Sequence, residues 1–102
     1  MLADDADDVA DAYVTLLVHA GIAAADVLCC ARLGMHAMGE NHNEAVSLLT
    51  KVDRKRAEDL RTLLGMKTKA GSSHQSTSKP DRLRAERSCA RLVHAARDAA
   101  DE

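Results

Sequence analysis

Four basic side chains near the carboxyl end of the chain are the residues best suited to chemistry. Arg84, Arg87, Arg91 and His94 are three, four and three residues apart, so on a helix they share one face. Each guanidinium can hold a phosphate through two parallel hydrogen bonds, which indicates a phosphate- or RNA-binding face. The other interpretation is a solvated charged face. It is favoured because one Tyr and no Phe or Trp leave almost nothing on which bases could stack.

A second candidate site centres on Asp26, which lies on a mostly apolar stripe of the first predicted helix. The stripe also contains Thr15, His19, Ile22, Cys30 and Leu33. A partly buried carboxylate needs a cation or several donors, and Lys67 and Lys69 are available basic groups. These three residues could form a ligand- or partner-binding site beside the following loop. The alternative, a structural ion pair that fixes the loop to the helix, is favoured because structural pairs give the same pattern.

Histidine and cysteine do not form a metal-binding pattern. Cys29 and His36 are seven residues apart on one helical face, with His42 nearby, whereas structural zinc sites use two close pairs of ligands. The chain has no nucleophile elbow and no phosphate-binding P-loop. The odd count of three cysteines, with Cys30 and Cys89 the others, indicates free thiols in a reducing compartment. We therefore expect neither a metal nor a cofactor.

The amino-acid composition limits the core that the chain can build. Its 102 residues suffice for one domain, and Tyr13 is the only aromatic residue, so aliphatic side chains and alanine must do the packing. Alanine-rich faces bring helices close together but bury little area, and burial is worth about 25 cal/mol per Å². We expect a marginally stable monomer that gains stability as a homodimer or against a helical partner.

The charge distribution bears on location and partners. A formal net charge of -2 gives no overall signal for nucleic acid or a membrane. The first eleven residues are acidic through Asp4, Asp5, Asp7, Asp8 and Asp11. Such residues favour a helix amino terminus and are the opposite of the basic start of a secretory signal. With no apolar run expected to span a bilayer, we predict a cytoplasmic protein without a membrane partner.

The first helix is predicted over about 5–38, because apolar and small residues recur there at helical intervals. The expected inward stripe consists of Val9, Tyr13, Leu16, Leu17, Ala20, Ala24, Val27, Leu28, Ala31, Met35 and Met38. Gly21 lies among small residues, which indicates a close helix–helix crossing or a helix break, with the continuous helix favoured. No coiled-coil heptad is expected over three or more turns.

Three shorter helices complete an all-α single domain over residues 1–102. Asn41 with Glu44 predicts a capped helix over about 42–52, and Asp53 predicts another over about 54–66. Residues 67–78 are predicted to be a loop, because positions 71–78 contain no apolar residue. Pro80 then favours the start of a last helix over about 79–100.

Several segments resemble small helical proteins of the HEPN-like group. They are AGIAAAD at 20–26, CARLG at 30–34, HNEAVSLL at 42–49, LLGMKTKA at 63–70 and LVHAAR at 92–97. The resemblance covers most of residues 10–98. It implies an up-and-down four-helix bundle with long first and last helices, commonly dimeric, and a toxin–antitoxin or defence setting.

Ribonucleases of this group carry an Arg, four to six residues and then a His, and they work as dimers. Only Arg87 and His94 have that spacing here. Both lie mid-helix in the prediction, deeper than is usual in the group, and Ser72 or Ser73 stands where relatives often have an aromatic residue. These departures argue against an active nuclease.

Three functional hypotheses result from the sequence. The first is a non-enzymatic, dimeric HEPN-like interaction or regulatory module that binds a protein or RNA, with Asp26, Lys67, Lys69, Arg84 and Arg91 as its contact residues. The second is a metal-independent endoribonuclease in which Arg87 holds the scissile phosphate and His94 assists attack by the ribose 2′-hydroxyl. The third is a helix-in-groove binder whose first helix docks on a host protein.

Overall fold

Four helices make up the parts of the chain that the structure, a computed structural model, describes. These parts are residues 2–37, 42–71 and 78–102, with side chains described except at 2–8 and 68–71. The helices are α1 (Leu2–Leu33), α2 (His42–Val52), α3 (Arg54–Gly71) and α4 (Lys79–Ala100). The described segments contain no strand, and α1 packs against all three other helices. The prediction of an all-helical bundle is therefore confirmed.

The long first helix ends earlier than predicted. α1 has 32 residues and ends at Leu33, whereas the sequence predicted a helix to about residue 38. Gly34 follows it with a φ of +71°, and its N–H donates to the Cys30 carbonyl at 3.0 Å. This left-handed glycine closes the helix by the common single-bond C-terminal motif. Met35 is consequently outside the helix and exposed, and Met38 lies outside the described residues.

The third helix is longer than predicted, since α3 continues to Gly71 instead of ending at about 66. The first part of the predicted 67–78 loop is therefore helical, and residues 72–77 lie outside the described part of the chain. Gly65 costs the helix only about 1 kcal/mol and does not break it. Beyond it, Met66 is buried, and that burial favours continuation of the helix.

The buried face of α1 includes Ala24 and Leu28 of the predicted stripe but leaves most of that stripe exposed. Its core side chains include Val14, Val18, Ala25 and Leu28, whereas Leu16 is 66% exposed. The other predicted members that are exposed are Val9, Tyr13, Ala20, Val27, Ala31 and Met35. Two apolar stripes share this helix, and hydropathy alone does not distinguish the one that faces the bundle.

Gly21 decides which face is buried. α1 runs through it without a break, and a Cβ placed there would lie 2.3 Å from Leu63 Cδ1 and 3.4 Å from Leu92 Cδ1. Both leucines are fully buried. The absence of a side chain at Gly21 thus lets α3 and α4 pack directly against the backbone of α1, which confirms the predicted close crossing.

α1 and α4 run in the same direction. Tyr13 Oη donates to Glu86 Oε1 at 2.9 Å in the amino-terminal halves of the two helices, and Arg32 Nη2 donates to Glu102 Oε1 at 2.8 Å at their carboxyl ends. An alternating order would make the first and fourth helices antiparallel, so the predicted up-and-down topology is wrong for this pair. Instead, the two helices lie parallel and pack against each other through small apolar side chains.

α1 is also more apolar than predicted. Val9–Leu33 is a 25-residue segment long and apolar enough to cross a membrane by length and composition. The prediction that no apolar run reaches a membrane-spanning length is therefore wrong. Part of the segment is buried in the bundle, and the core helix of a soluble protein and a signal sequence meet the same criterion.

Candidate functional site

α1 carries a long apolar surface on the side facing away from the core. Seven residues define this exposed stripe: Val9, Tyr13, Leu16, Ala20, Ala23, Val27 and Cys30. Val9 is 69% exposed, and Tyr13 and Val27 are each more than 40% exposed. The spacing alternates strictly between four and three residues, which is the heptad pattern of helices that pair with another helix. The expectation that no such heptad exists is therefore wrong.

A shallow groove runs beside the exposed stripe, between α1 and α4. It has a volume of about 280 Å³ and is lined by Ala20, Ala23, Ala24, Val27, Val93, Ala96, Arg97 and Ala100. Arg97 is its one charged lining residue. Alanines on both walls keep the groove shallow, so a second helix could approach it closely.

Polar groups lie along the other flank of the stripe. His19 is exposed and Asp26 is half-buried, and they are seven residues apart on the same edge of α1. Among the described contacts, no hydrogen bond or ion pair joins Asp26 to another side chain. Lys67 Nζ instead lies 3.0 Å from His42 Nε2. The predicted Asp26–Lys67 pair is thus not formed, and the Lys69 side chain lies outside the described residues.

Arg91, predicted to bind a partner, is held by a carboxylate of α3. Its Nε and Nη2 donate to Asp59 Oδ1 at 3.0 and 2.8 Å, and these bonds raise the pKa of the arginine. Arg56 Nε lies 3.1 Å from Asp59 Oδ2 on the other side of the same carboxylate. Asp59 is buried, so this group of charges joins α3 to α4. Sequence reasoning missed Asp59 because a single acid in a charged helix gives no signal of burial.

The remaining predicted α4 residues point outward. Arg84 Nη2 lies 3.9 Å from Asp81 Oδ1, and Arg84 and Arg87 contribute to an open cleft of about 350 Å³. The His94 side chain is 79% exposed, with Nε2 3.3 Å from Asp98 Oδ2. Arg87 and His94 share a face but are separated by about 10 Å along the helix axis. A single chain therefore does not bring both onto one scissile phosphate.

The cysteines offer little nucleophilic chemistry. Cys29 and Cys89 are buried, and burial raises the pKa of both thiols, so they are protonated at neutral pH. Cys30 is exposed on the stripe. Across the described ranges, no three His, Cys, Asp or Glu side chains come together in a group able to hold a metal ion.

Comparison of the chain with protein-family models, with curated proteins and with solved structures gives no match. The interpretation of the site therefore depends on the geometry of this chain, and the HEPN-like resemblance stays a prediction.

Removing the buried carboxylate should cost the fold far more than removing an exposed neighbour. We expect Asp59→Ala to lower the free energy of unfolding by about 2 kcal/mol, because Arg56 and Arg91 lose their shared partner inside the α3–α4 contact. Glu58→Ala is the matched control: its ion pair with Arg61 is exposed, so a change within about 0.5 kcal/mol is expected. Urea unfolding measures both variants, and equal losses would contradict a structural role for Asp59.

Proposed function

We propose that this protein is a non-enzymatic interaction module that works as a dimer and associates through the exposed stripe of α1. A regulatory role toward a further protein partner is part of the proposal. The observation that carries it is the stripe itself: Val9 and Leu16, the most exposed of its large side chains, are each about two-thirds exposed, and its spacing is that of paired helices.

The extent of the stripe supports this proposal. From Val9 to Cys30 it covers about 32 Å of helix, and a strip about 10 Å wide gives a patch on the order of 300 Å². The neighbouring groove enlarges this apolar area with Val93 and Ala100. The largest apolar patch on a typical monomer covers about 300–600 Å² and is often functional, so the stripe together with the groove is suited to an interaction site. A core of this composition, without Phe or Trp, also gains from the added burial.

The polar groups of the chain also favour binding over catalysis. The Arg91 guanidinium is already hydrogen-bonded to Asp59, and the buried thiols of Cys29 and Cys89 are protonated at neutral pH. The HEPN-like resemblance agrees with a dimer and adds a toxin–antitoxin or defence setting to the proposal. The proposed cytoplasmic location follows from the acidic first residues and the three free cysteines.

The oligomeric state of the full chain tests the proposal. Light scattering and sedimentation equilibrium at about 100 μM should give a species of about twice the 10.9 kDa chain mass, with dissociation on dilution. A 10.9 kDa monomer at every concentration would contradict it. That result would favour the third hypothesis, in which α1 docks on a different protein.

The endoribonuclease hypothesis has one favourable observation, since Arg87 and His94 are both exposed on the same face of α4. We nevertheless expect no cleavage when the purified protein is incubated with labelled RNA in the presence of a chelator. The reason is that the two side chains are about 10 Å apart along the axis of α4, so a single chain does not bring both onto one scissile phosphate. Cleavage that disappears in the His94→Ala variant would overturn the non-enzymatic proposal.

A further inference from the structure

We propose that the exposed stripe of α1 is covered by α1 of a second copy of this chain, running antiparallel and crossing near Gly21 and Ile22. This inference rests on the proposed function and adds the partner and the geometry. In this register Leu16 packs on the partner's Val27, Ala20 on the partner's Ala23, and Tyr13 on the partner's Cys30. By symmetry each contact occurs twice.

The exposed apolar side chains are distributed in a way that suits this register. The described residues include seven large exposed hydrophobics, and six of them follow the stripe or its carboxyl end: Val9, Tyr13, Leu16, Val27, Leu33 and Met35. Three lie before the crossing point and three after it. Antiparallel pairing therefore places Leu16 and Tyr13 of one copy against Val27 and Cys30 of the other and leaves only alanines at the centre.

A parallel pair would pack less evenly. Each layer would then face its own copy, with Tyr13 on Tyr13 and Leu16 on Leu16 at one end, and alanine on alanine in the middle. Bulky layers separate the helix axes where alanine layers need them close. The antiparallel register avoids this conflict, because its small central layers lie at the crossing point, where the two axes are nearest.

Charge gives a second, independent argument. The first eleven residues hold five aspartates and no basic residue. A parallel pair would bring ten carboxylates to one end. In the antiparallel pair, the two copies of Asp8 are about 40 Å apart along the helix axis, which is several Debye lengths at physiological salt.

The flanks of the stripe are also complementary in this register. His19 lies beside the partner's Asp26, and the partner's His19 beside Asp26, because these positions flank the layers on either side of the crossing. Asp26 has no described hydrogen bond within its own chain, and an imidazole N–H is a suitable donor to it. The half-buried carboxylate thus obtains the partner that Lys67 does not provide.

The single exposed cysteine makes the orientation testable with the full chain. In the antiparallel pair the two copies of Cys30 are about 25 Å apart, so wild type should not form a disulfide dimer. Tyr13→Cys places a second thiol opposite the partner's Cys30. Under mild oxidation we expect this variant to run as a covalent dimer on a non-reducing gel, with peptide mapping linking position 13 to position 30. Leu83→Cys, exposed on α4 outside the stripe, is the matched control and should stay monomeric on the gel.

The outcomes separate the two proposals. A disulfide between position 13 and Cys30 supports the antiparallel pair. A Cys30–Cys30 link in wild type, or a dimer in solution that Tyr13→Cys does not cross-link, overturns the orientation and leaves the proposed function intact. A monomer at all concentrations overturns both. Flotation of the wild-type protein with phosphatidylcholine vesicles would assign the stripe to a lipid surface and would also overturn both.

Discussion

Leu16→Glu is expected to abolish dimerisation while leaving the helix content of the chain unchanged. Leu16 is 66% exposed in the single chain, so a glutamate there is solvated in the monomer and costs the fold little. In the dimer two such carboxylates would enter an apolar seam without a cation. We expect the dissociation constant to rise at least about 100-fold, which corresponds to about 3 kcal/mol of association free energy.

The control for this substitution is Leu83→Glu. Leu83 is 40% exposed on α4 and lies outside the stripe, so its variant should dimerise as wild type does. Sedimentation equilibrium gives the dissociation constants and far-ultraviolet circular dichroism gives the helix content. If the two glutamate variants weaken association equally, the effect is one of general surface charge and the stripe is not the dimer face.

Gly21→Val should be the most destabilising single change to the monomer, whereas Gly65→Ala should stabilise it. At Gly21 even a Cβ would lie 2.3 Å from Leu63 Cδ1, and Leu63 is fully buried and cannot move into solvent. Overpacking there by a branched side chain should cost about 3 kcal/mol. Gly65 is exposed, with nothing within 4 Å of a Cβ, so alanine should add up to about 1 kcal/mol through helix propensity.

Chemical unfolding of both glycine variants gives the two free energies, read at one protein concentration because dimerisation adds to apparent stability. The opposite signs are the informative result. A stable Gly21→Val protein would show that α3 and α4 do not approach the α1 backbone as closely as the structure has it.

The helical class and the four helices of the described residues could be predicted from the sequence, because periodicity and breakers are local signals. Gly21 as a crossing point was also predictable, since small residues cluster there. The carboxyl ends of α1 and α3 were not. Gly34 and Gly65 are both glycines near predicted helix ends, yet only Gly34 takes a left-handed φ, and tertiary contacts such as the burial of Met66 decide the difference.

The candidate site was harder to predict. The stripe from Val9 to Met38 was predicted to form the core. Leu16 and Val27 of that stripe are exposed, and the face that contains Val14 and Val18 is buried instead. A helix that is apolar on two sides gives no local signal for which side faces the bundle. Arg91 illustrates the same limit, because its role depends on Asp59, which is 32 positions away in the sequence.

The long first helix thus has two apolar faces with different expected roles. One contains Gly21 and builds the monomer with α3 and α4. The other follows a heptad spacing and is left for a second copy in the proposed dimer. Because both faces are apolar, the segment is apolar enough to resemble a membrane span, although its sequence includes Asp11 and Asp26.

The central claim, that the exposed stripe of α1 is the association surface, is tested most directly by following backbone amide resonances during dilution of isotope-labelled wild-type protein. We predict that concentration-dependent shifts cluster at Leu16, Ala20, Ala23 and Val27, with smaller shifts at Val93 across the groove. Shifts centred on Arg84 and Arg87, or a spectrum that does not change with concentration, would contradict the claim.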